Sequence, residues 1–263
     1  MKTTTHSLKE MKSAGKKIIM LTAYDCPTAR ILDETGVEII LVGDSVGNVL
    51  LGYDNTIPVT MDDMLHHTKA VTRGAKNSMV IADMPFMSYQ LNPESALLNA
   101  SRFIKEAGAH GVKIEGDIYL DSIRKIIDAG IPVMGHLGLT PQLVNQLGGY
   151  RVQGRTADEA RIIFEGAKTL EKAGVFCLVL EMVPALLAKK IAQSLTIPVI
   201  GIGAGIYCDG QVLVTNDILG LTEKGIPRFA KKYVELNSEI RKAVTFFISD
   251  VRANRFPGQE NSF

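Results

Sequence analysis

The chain has 263 residues, 46% hydrophobic and 22% charged, with 29 Lys and Arg against 28 Asp and Glu. This is the composition of a globular protein large enough to bury an extensive core, and its charge balance gives no electrostatic reason to expect nucleic acid or an anionic membrane as partner. Cys26, Cys177 and Cys208 are too few and too scattered for a disulfide framework; Met1 to Lys17 offers no apolar signal core and no run approaches a membrane span, so the expectation is a cytoplasmic protein.

From the start of the chain, one pattern recurs: a helix-like segment, a glycine, a short apolar run, then a polar residue. Helices are expected at about 8–14, 26–35, 60–75, 93–107, 118–129, 157–173, 184–194 and 228–249. Ser7-x-x-Glu10, Thr60-x-x-Asp63 and Thr156-x-x-Glu159 read as capping boxes, and Asn92-Pro93 as a cap followed by a first-turn proline. Strands are expected at 17–23, 37–42, 78–82, 112–115, 131–136, 175–181, 197–202 and 211–214. Gly36, Gly108, Gly130 and Gly174 precede four of them, in keeping with glycine as a helix stop. Runs rich in Val and Ile, apolar on both faces, are the mark of buried parallel strands. The seventh unit, around Ile206 to Gln211, lacks a full helix.

Eight such strands alternating with helices predict a parallel sheet. At this length the reading is a closed (β/α)8 barrel of the TIM type with a short N-terminal helix, one catalytic domain spanning 1–263; an open doubly wound sheet is the rival. In a barrel all strand C-termini point to one mouth, which holds the active site. Here they end on or near Asp25, Asp44, Asp83, Glu115, His136 and Glu181. Any one carboxylate could be a helix cap in the following loop, but six successive strands contribute to the set.

Two unit charges 4 Å apart repel by about 4 kcal/mol at an effective dielectric near 20. Three or four carboxylates in one mouth therefore call for protonation or a cation. Lys113 supplies one positive charge and a divalent metal would supply two. All-oxygen ligation suits Mg²⁺ or Mn²⁺, while His136 and Cys26 leave zinc open. Lys113 and Glu115, two apart on a strand, share the barrel interior; Lys113 is either a structural partner of Glu115 or an anion-binding or Schiff-base lysine. Gly201-Ile202-Gly203-Ala204-Gly205 is not GxGxxG and reads as a tight turn, structural or against a ligand. His66-His67 reads as surface and Cys177 as core. The segment from Gly138 to Arg155 is a lid or a solvated loop.

Together these motifs resemble one family. Leu21-Thr22-Ala23-Tyr24-Asp25, Val42-Gly43-Asp44-Ser45, Ala82-Asp83-Met84-Pro85-Phe86, Val112-Lys113-Ile114-Glu115-Gly116, the run from Gly135 through His136 to Gln142, Leu180-Glu181, the glycine turn at 201–205 and Gln211-Val212-Leu213-Val214 are similar to the ketopantoate hydroxymethyltransferases (3-methyl-2-oxobutanoate hydroxymethyltransferases), in order, from about residue 7 to 250. The resemblance implies transfer of a hydroxymethyl group from 5,10-methylenetetrahydrofolate to 3-methyl-2-oxobutanoate, giving ketopantoate for pantothenate synthesis. It implies one Mg²⁺ per subunit on Asp44 and Asp83, with Glu115 bound directly or through water. The keto acid would chelate that metal beside Asp44 and Asp83, helped by Ser45 and Lys113, His136 would hydrogen-bond near the reacting oxygen, and Glu181 would be the general base. It also implies a homo-oligomer, often a decamer. Three rivals share the residues: a metal-dependent keto-acid lyase or mutase, a Schiff-base aldolase on Lys113, and a metabolite-binding protein without catalysis.

Overall fold

A computed structural model describes residues 2–222, 225 and 227–263. Two compact units divide the chain, Met1–Val214 and Thr215–Phe263. The first unit runs α1 (Thr5–Ser13), β1 (Ile18–Thr22), α2 (Cys26–Glu34), β2 (Ile39–Val42), α3 (Val46–Val49), α4 (Met61–Gly74), β3 (Met79–Asp83), α5 (Pro93–Lys105), β4 (Gly111–Glu115), α6 (Leu120–Asp128), β5 (Val133–Gly138), α7 (Val144–Leu147), α8 (Ala157–Ala173), β6 (Cys177–Glu181), α9 (Ala185–Ser194), β7 (Val199–Ile202) and β8 (Gly210–Leu213). The eight strands pair in sequence order, all parallel, and β8 closes onto β1. The closed barrel is therefore the architecture, and the open sheet is not. No helix separates β7 from β8, as the weak seventh unit implied.

The alternation along each strand divides the core in two. Ile18, Met20, Ile39, Leu41, Met79, Ile81, Met134, Cys177, Val179, Ile200 and Val212 form one cluster that fills the barrel, joined by Leu8 of α1. The residues between them, such as Ile40, Val80, Val112, Val133 and Leu178, belong to a second cluster shared with the surrounding helices. Cys177 is fully buried, as expected of a core residue.

The helix starts follow local chemistry. Thr60 and Asp63 cap α4 reciprocally, and Thr156 and Glu159 are the matching pair of α8. Asn92 accepts the Ser95 N–H at the start of α5, with Pro93 in the first turn. The first box is displaced. Thr4, not Ser7, caps α1, and Ser7 is the residue that reaches back to the Thr4 N–H, so the helix begins three residues earlier than the sequence suggests.

At the end of α2, Asp33 is buried. Its carboxylate accepts the N–H groups of Asn77 and Ser78, both at 2.7 Å, and the Asn77 side-chain amide at 3.1 Å. It thereby pins the chain where it enters β3. Burial alone would raise its pKa; the N–H donors of Ser78 and Asn77 outweigh burial and lower it from 3.8 to about 2. A depressed folded pKa means that the stabilisation is present above the unfolded value and is lost as the pH falls from 3.8 toward 2. Asp33→Ala leaves these donors unpaired and is expected to cost about 2–4 kcal/mol at pH 7. Urea unfolding checks this: the gap between variant and wild type should shrink as the pH falls below 4, and a gap independent of pH would contradict the ionic contribution.

The second unit contains α10 (Thr215–Leu219) and α11 (Leu236–Arg252). The final helix starts eight residues later than the expected 228. The N–H groups of Tyr233 and Val234 bond to the Ile218 carbonyl, so this stretch runs beside the end of α10 instead of forming helical turns. Among the described residues, no helix is long and apolar enough to cross a membrane.

Candidate active site at the barrel mouth

Strand parity delivers the site. Asp83 lies two residues past the interior residue Ile81, Glu181 two past Val179, and His136 two past Met134, so each points inward at the last layer of the barrel. Lys113 and Glu115 share that face of β4. The register sets Asp83 beside Lys113 and Glu115 beside His136. Asp44 arrives from the turn after β2, where its N–H donates to Asp83 Oδ2 at 3.3 Å.

The side chains form one connected cluster. Lys113 Nζ lies 2.7 Å from Asp83 Oδ1 and 3.5 Å from Glu115 Oε1. His136 stands between two carboxylates, Nδ1 at 3.4 Å from Glu115 Oε1 and Nε2 at 3.2 Å from Glu181 Oε2. Neither contact has hydrogen-bond alignment, so both buried ring nitrogens lack a formal partner. Lys113 is therefore a partner of both Asp83 and Glu115, and not of Glu115 alone. The Ser45 hydroxyl, half-buried, lies 2.8 Å from the Tyr24 hydroxyl. Asp25 does not join the cluster: it accepts the Thr28 N–H and caps α2. His67 is half-buried rather than superficial, its Nδ1 2.7 Å from the Tyr24 carbonyl.

Electrostatics separates the acids. Burial, then the charges of Asp83 and Glu115, push the Asp44 carboxyl well above the usual range. Burial also raises Asp83, against the opposing pull of Lys113. Glu115 goes the other way: burial would raise it, but Lys113, His136 and the Gln142 N–H lower it and keep it ionised. Burial and Lys113 would lower the imidazole of His136, yet its contacts with Glu115 and Glu181 push it up to about 9. Lys113 is held as an ammonium because its three carboxylate neighbours outweigh desolvation. A Schiff-base lysine must reach its free amine, and this environment opposes that.

The residue that sequence reasoning missed is Gln142, on the turn after β5. It is 2% exposed, and its side-chain amide donates to Asp44 Oδ2 at 2.9 Å. An uncharged residue in a loop carries no pattern that would single it out, although it ends the Gly135–Gln142 motif.

The backbone around Glu181 is clasped from both sides. Its carbonyl accepts the Leu139 N–H, and Met182 N–H bonds to Ile202 O. Gly138, at φ 95°, lies so close that an added methyl would overlap the Glu181 carbonyl. Met182 takes a left-handed conformation at φ 46°, which costs a non-glycine residue about 1–3 kcal/mol and persists because the Met182 carbonyl also accepts the Gln153 N–H. The loop from Gly138 to Arg155 is thus tied down at its far end beside the base candidate.

A closed parallel barrel with buried titratable side chains gathered at its C-terminal mouth defines a barrel enzyme. Comparison with known proteins fixes which kind. A sequence model described as ketopantoate hydroxymethyltransferase matches residues 2–259. The 3-methyl-2-oxobutanoate hydroxymethyltransferase of Syntrophus aciditrophicus (strain SB) is 57% identical, over 100% of this chain and 97% of the relative. That of Dehalococcoides mccartyi (strain 195) is 56% identical, over 100% of this chain and 94% of the relative. The chain belongs to the ketopantoate hydroxymethyltransferase family and is an enzyme. Among solved structures, 2,3-dimethylmalate lyase, a PEP mutase/isocitrate lyase superfamily member, superposes with TM-score 0.60 at 16% identity, covering 98% of this chain and 90% of its own. A putative phosphonomutase from Burkholderia cenocepacia J2315 gives 0.63 at 14%, covering 79% and 91%. At such identities the likeness speaks for the fold alone.

Proposed function

We propose that the enzyme transfers a hydroxymethyl group from 5,10-methylenetetrahydrofolate to 3-methyl-2-oxobutanoate, forming ketopantoate, with one Mg²⁺ per subunit and Glu181 as general base. The observation that carries this reading is the division of the carboxylates. Asp44, Asp83 and Glu115 crowd around one ammonium, while Glu181 stands outside that network, in contact with His136 and 15% exposed at its side chain. A crowded set suits a cation, and a carboxylate outside it suits a proton.

The donor chemistry fits a hydrated hard cation. Burial first, and then the negative charge that three carboxylates leave unbalanced against Lys113, push Asp44 toward protonation. Among the described residues, no three His, Cys, Asp or Glu side chains form a ready cage. Mg²⁺ does not require one, since it keeps several waters and uses one or two carboxylates plus substrate oxygens. Asp44 and Asp83 would be ligands, with Glu115 bound directly or through water; Asp83 and Glu115 each already meet Lys113 with one oxygen and a backbone N–H with the other.

When bound, the cation supplies Lewis acidity to the keto oxygen, whose negative charge grows as the C3 proton leaves. Glu181 takes that proton. Ser45 and Lys113 orient the substrate's oxygens, with the Ser45 hydroxyl directed by Tyr24. His136, charged between Glu115 and Glu181, offers a donor toward the reacting oxygen. The one-carbon unit comes from the folate, whose chemistry is its own. The test is a steady-state assay with both substrates. Turnover should vanish with EDTA and return with excess Mg²⁺. Turnover indifferent to EDTA, with borohydride trapping the keto acid on Lys113, would overturn the metal reading.

A homo-oligomer, a decamer by resemblance, belongs to the same proposal. It is supported by α11, where Ile240, Val244, Phe247 and Val251 recur at helical spacing and are all exposed. A monomer mass in sedimentation would overturn it.

A further inference from the structure

We propose that Gln142 is a positioning residue for the cation site, fixing the carboxylate of Asp44 through its side chain and that of Glu115 through its backbone, with Tyr89 holding its amide in place. The inference rests on the metal reading given above.

The geometry determines the amide's orientation. Nε2 lies 2.9 Å from both Asp44 Oδ2 and the Met84 carbonyl, and both of these are acceptors. Oε1 lies 2.8 Å from the Tyr89 hydroxyl. An amide turned over would set its oxygen against two acceptors, so these two fix the orientation, and the Tyr89 hydroxyl, able to donate or accept, donates to the oxygen that results. The Gln142 N–H meets Glu115 Oε2 at 3.1 Å. One residue thus touches a carboxylate from the turn after β2 and another from the end of β4. Every bond is buried, where a satisfied polar network is rigid and a broken one costly.

The network also has a fixed outer end. Tyr89 is 1% exposed, packs edge-on against the Tyr119 ring at 5.3 Å, and its carbonyl accepts the Ser122 hydroxyl of α6. A line of contacts therefore runs from α6 through Tyr89 and Gln142 to Asp44. Partners of this kind around metal ligands set ligand orientation, and their loss commonly lowers metal affinity about 10–100-fold.

The experiment is a calorimetric titration of the full chain with Mn²⁺, without substrate, on wild type, Gln142→Leu and Tyr89→Phe, with melting temperatures measured alongside. Gln142→Leu removes both amide donors and leaves the backbone N–H to Glu115. It is expected to weaken Mn²⁺ binding about 10–100-fold. Tyr89→Phe keeps the ring and its packing, and the Met84 carbonyl still orients the amide, so a loss of a few-fold is expected, with a melting temperature lower by a few degrees because the buried Gln142 Oε1 loses its donor. Should Gln142→Leu not fold, the loss in Tyr89→Phe carries the test. Wild-type affinity in the folded variants overturns the role of Gln142 and leaves the metal reading intact. Absence of Mn²⁺ binding by wild type overturns the metal reading and this inference with it.

Discussion

Glu181→Gln should abolish exchange of the C3 hydrogen of 3-methyl-2-oxobutanoate with D₂O in the presence of Mg²⁺. The wild type is expected to catalyse this exchange without any folate, because proton removal precedes attack on the one-carbon unit. Glutamine keeps the size and reach of glutamate but cannot accept the proton, and loss of a general base lowers rates by about 10²–10⁴-fold. Binding should change little. Glu181 stands apart from Asp44, Asp83 and Lys113 and its contact is with His136, so keto-acid affinity should stay within a few-fold. The measurement is NMR of the C3 position over time, paired with a binding titration. Exchange at the wild-type rate would remove Glu181 from the mechanism.

The second large effect is expected at Asp83. Asp83→Ala takes away a carboxylate that serves Lys113 at 2.7 Å and the Asp44 N–H at 3.3 Å. Calorimetry should then show Mg²⁺ affinity lower by at least about 100-fold, beyond what a supporting residue gives. Folding should suffer too, since stripping one partner from a buried ion pair typically costs about 3–5 kcal/mol. Asp83→Asn, which keeps the shape, separates the two consequences: metal binding should still fail while the unfolding midpoint recovers in part. Unchanged Mg²⁺ affinity in both variants would exclude Asp83 as a ligand.

Much of this site is legible in the sequence because its residues obey strand periodicity. Asp83, Glu115, His136 and Glu181 each end an apolar run, and the chain order of those runs is the order around the barrel. Asp25 ends such a run as well, and only its bond to the Thr28 N–H reveals a helix cap. Gln142 lies on a single 3₁₀ turn (Pro141–Leu143) and Tyr89 on a loop, neither of which shows a period, and their partners are 98 and 53 residues distant in sequence. Pairings of that kind come from tertiary placement alone. The late start of α11 has a similar origin, since the Ile218 carbonyl competes for N–H groups that a helix would have used.

The shared strand face of the site residues also limits how such an enzyme can change over generations. An insertion of one residue within β4 ahead of Lys113 would turn both Lys113 and Glu115 toward the helices and carry Ile114 into the mouth. No compensating substitution nearby could restore two charged groups at once. Length variation is therefore confined to the segments between elements, where an added residue leaves the alternation of every strand untouched. New substrates become accessible by rebuilding loops over a chemical floor that has to be inherited whole.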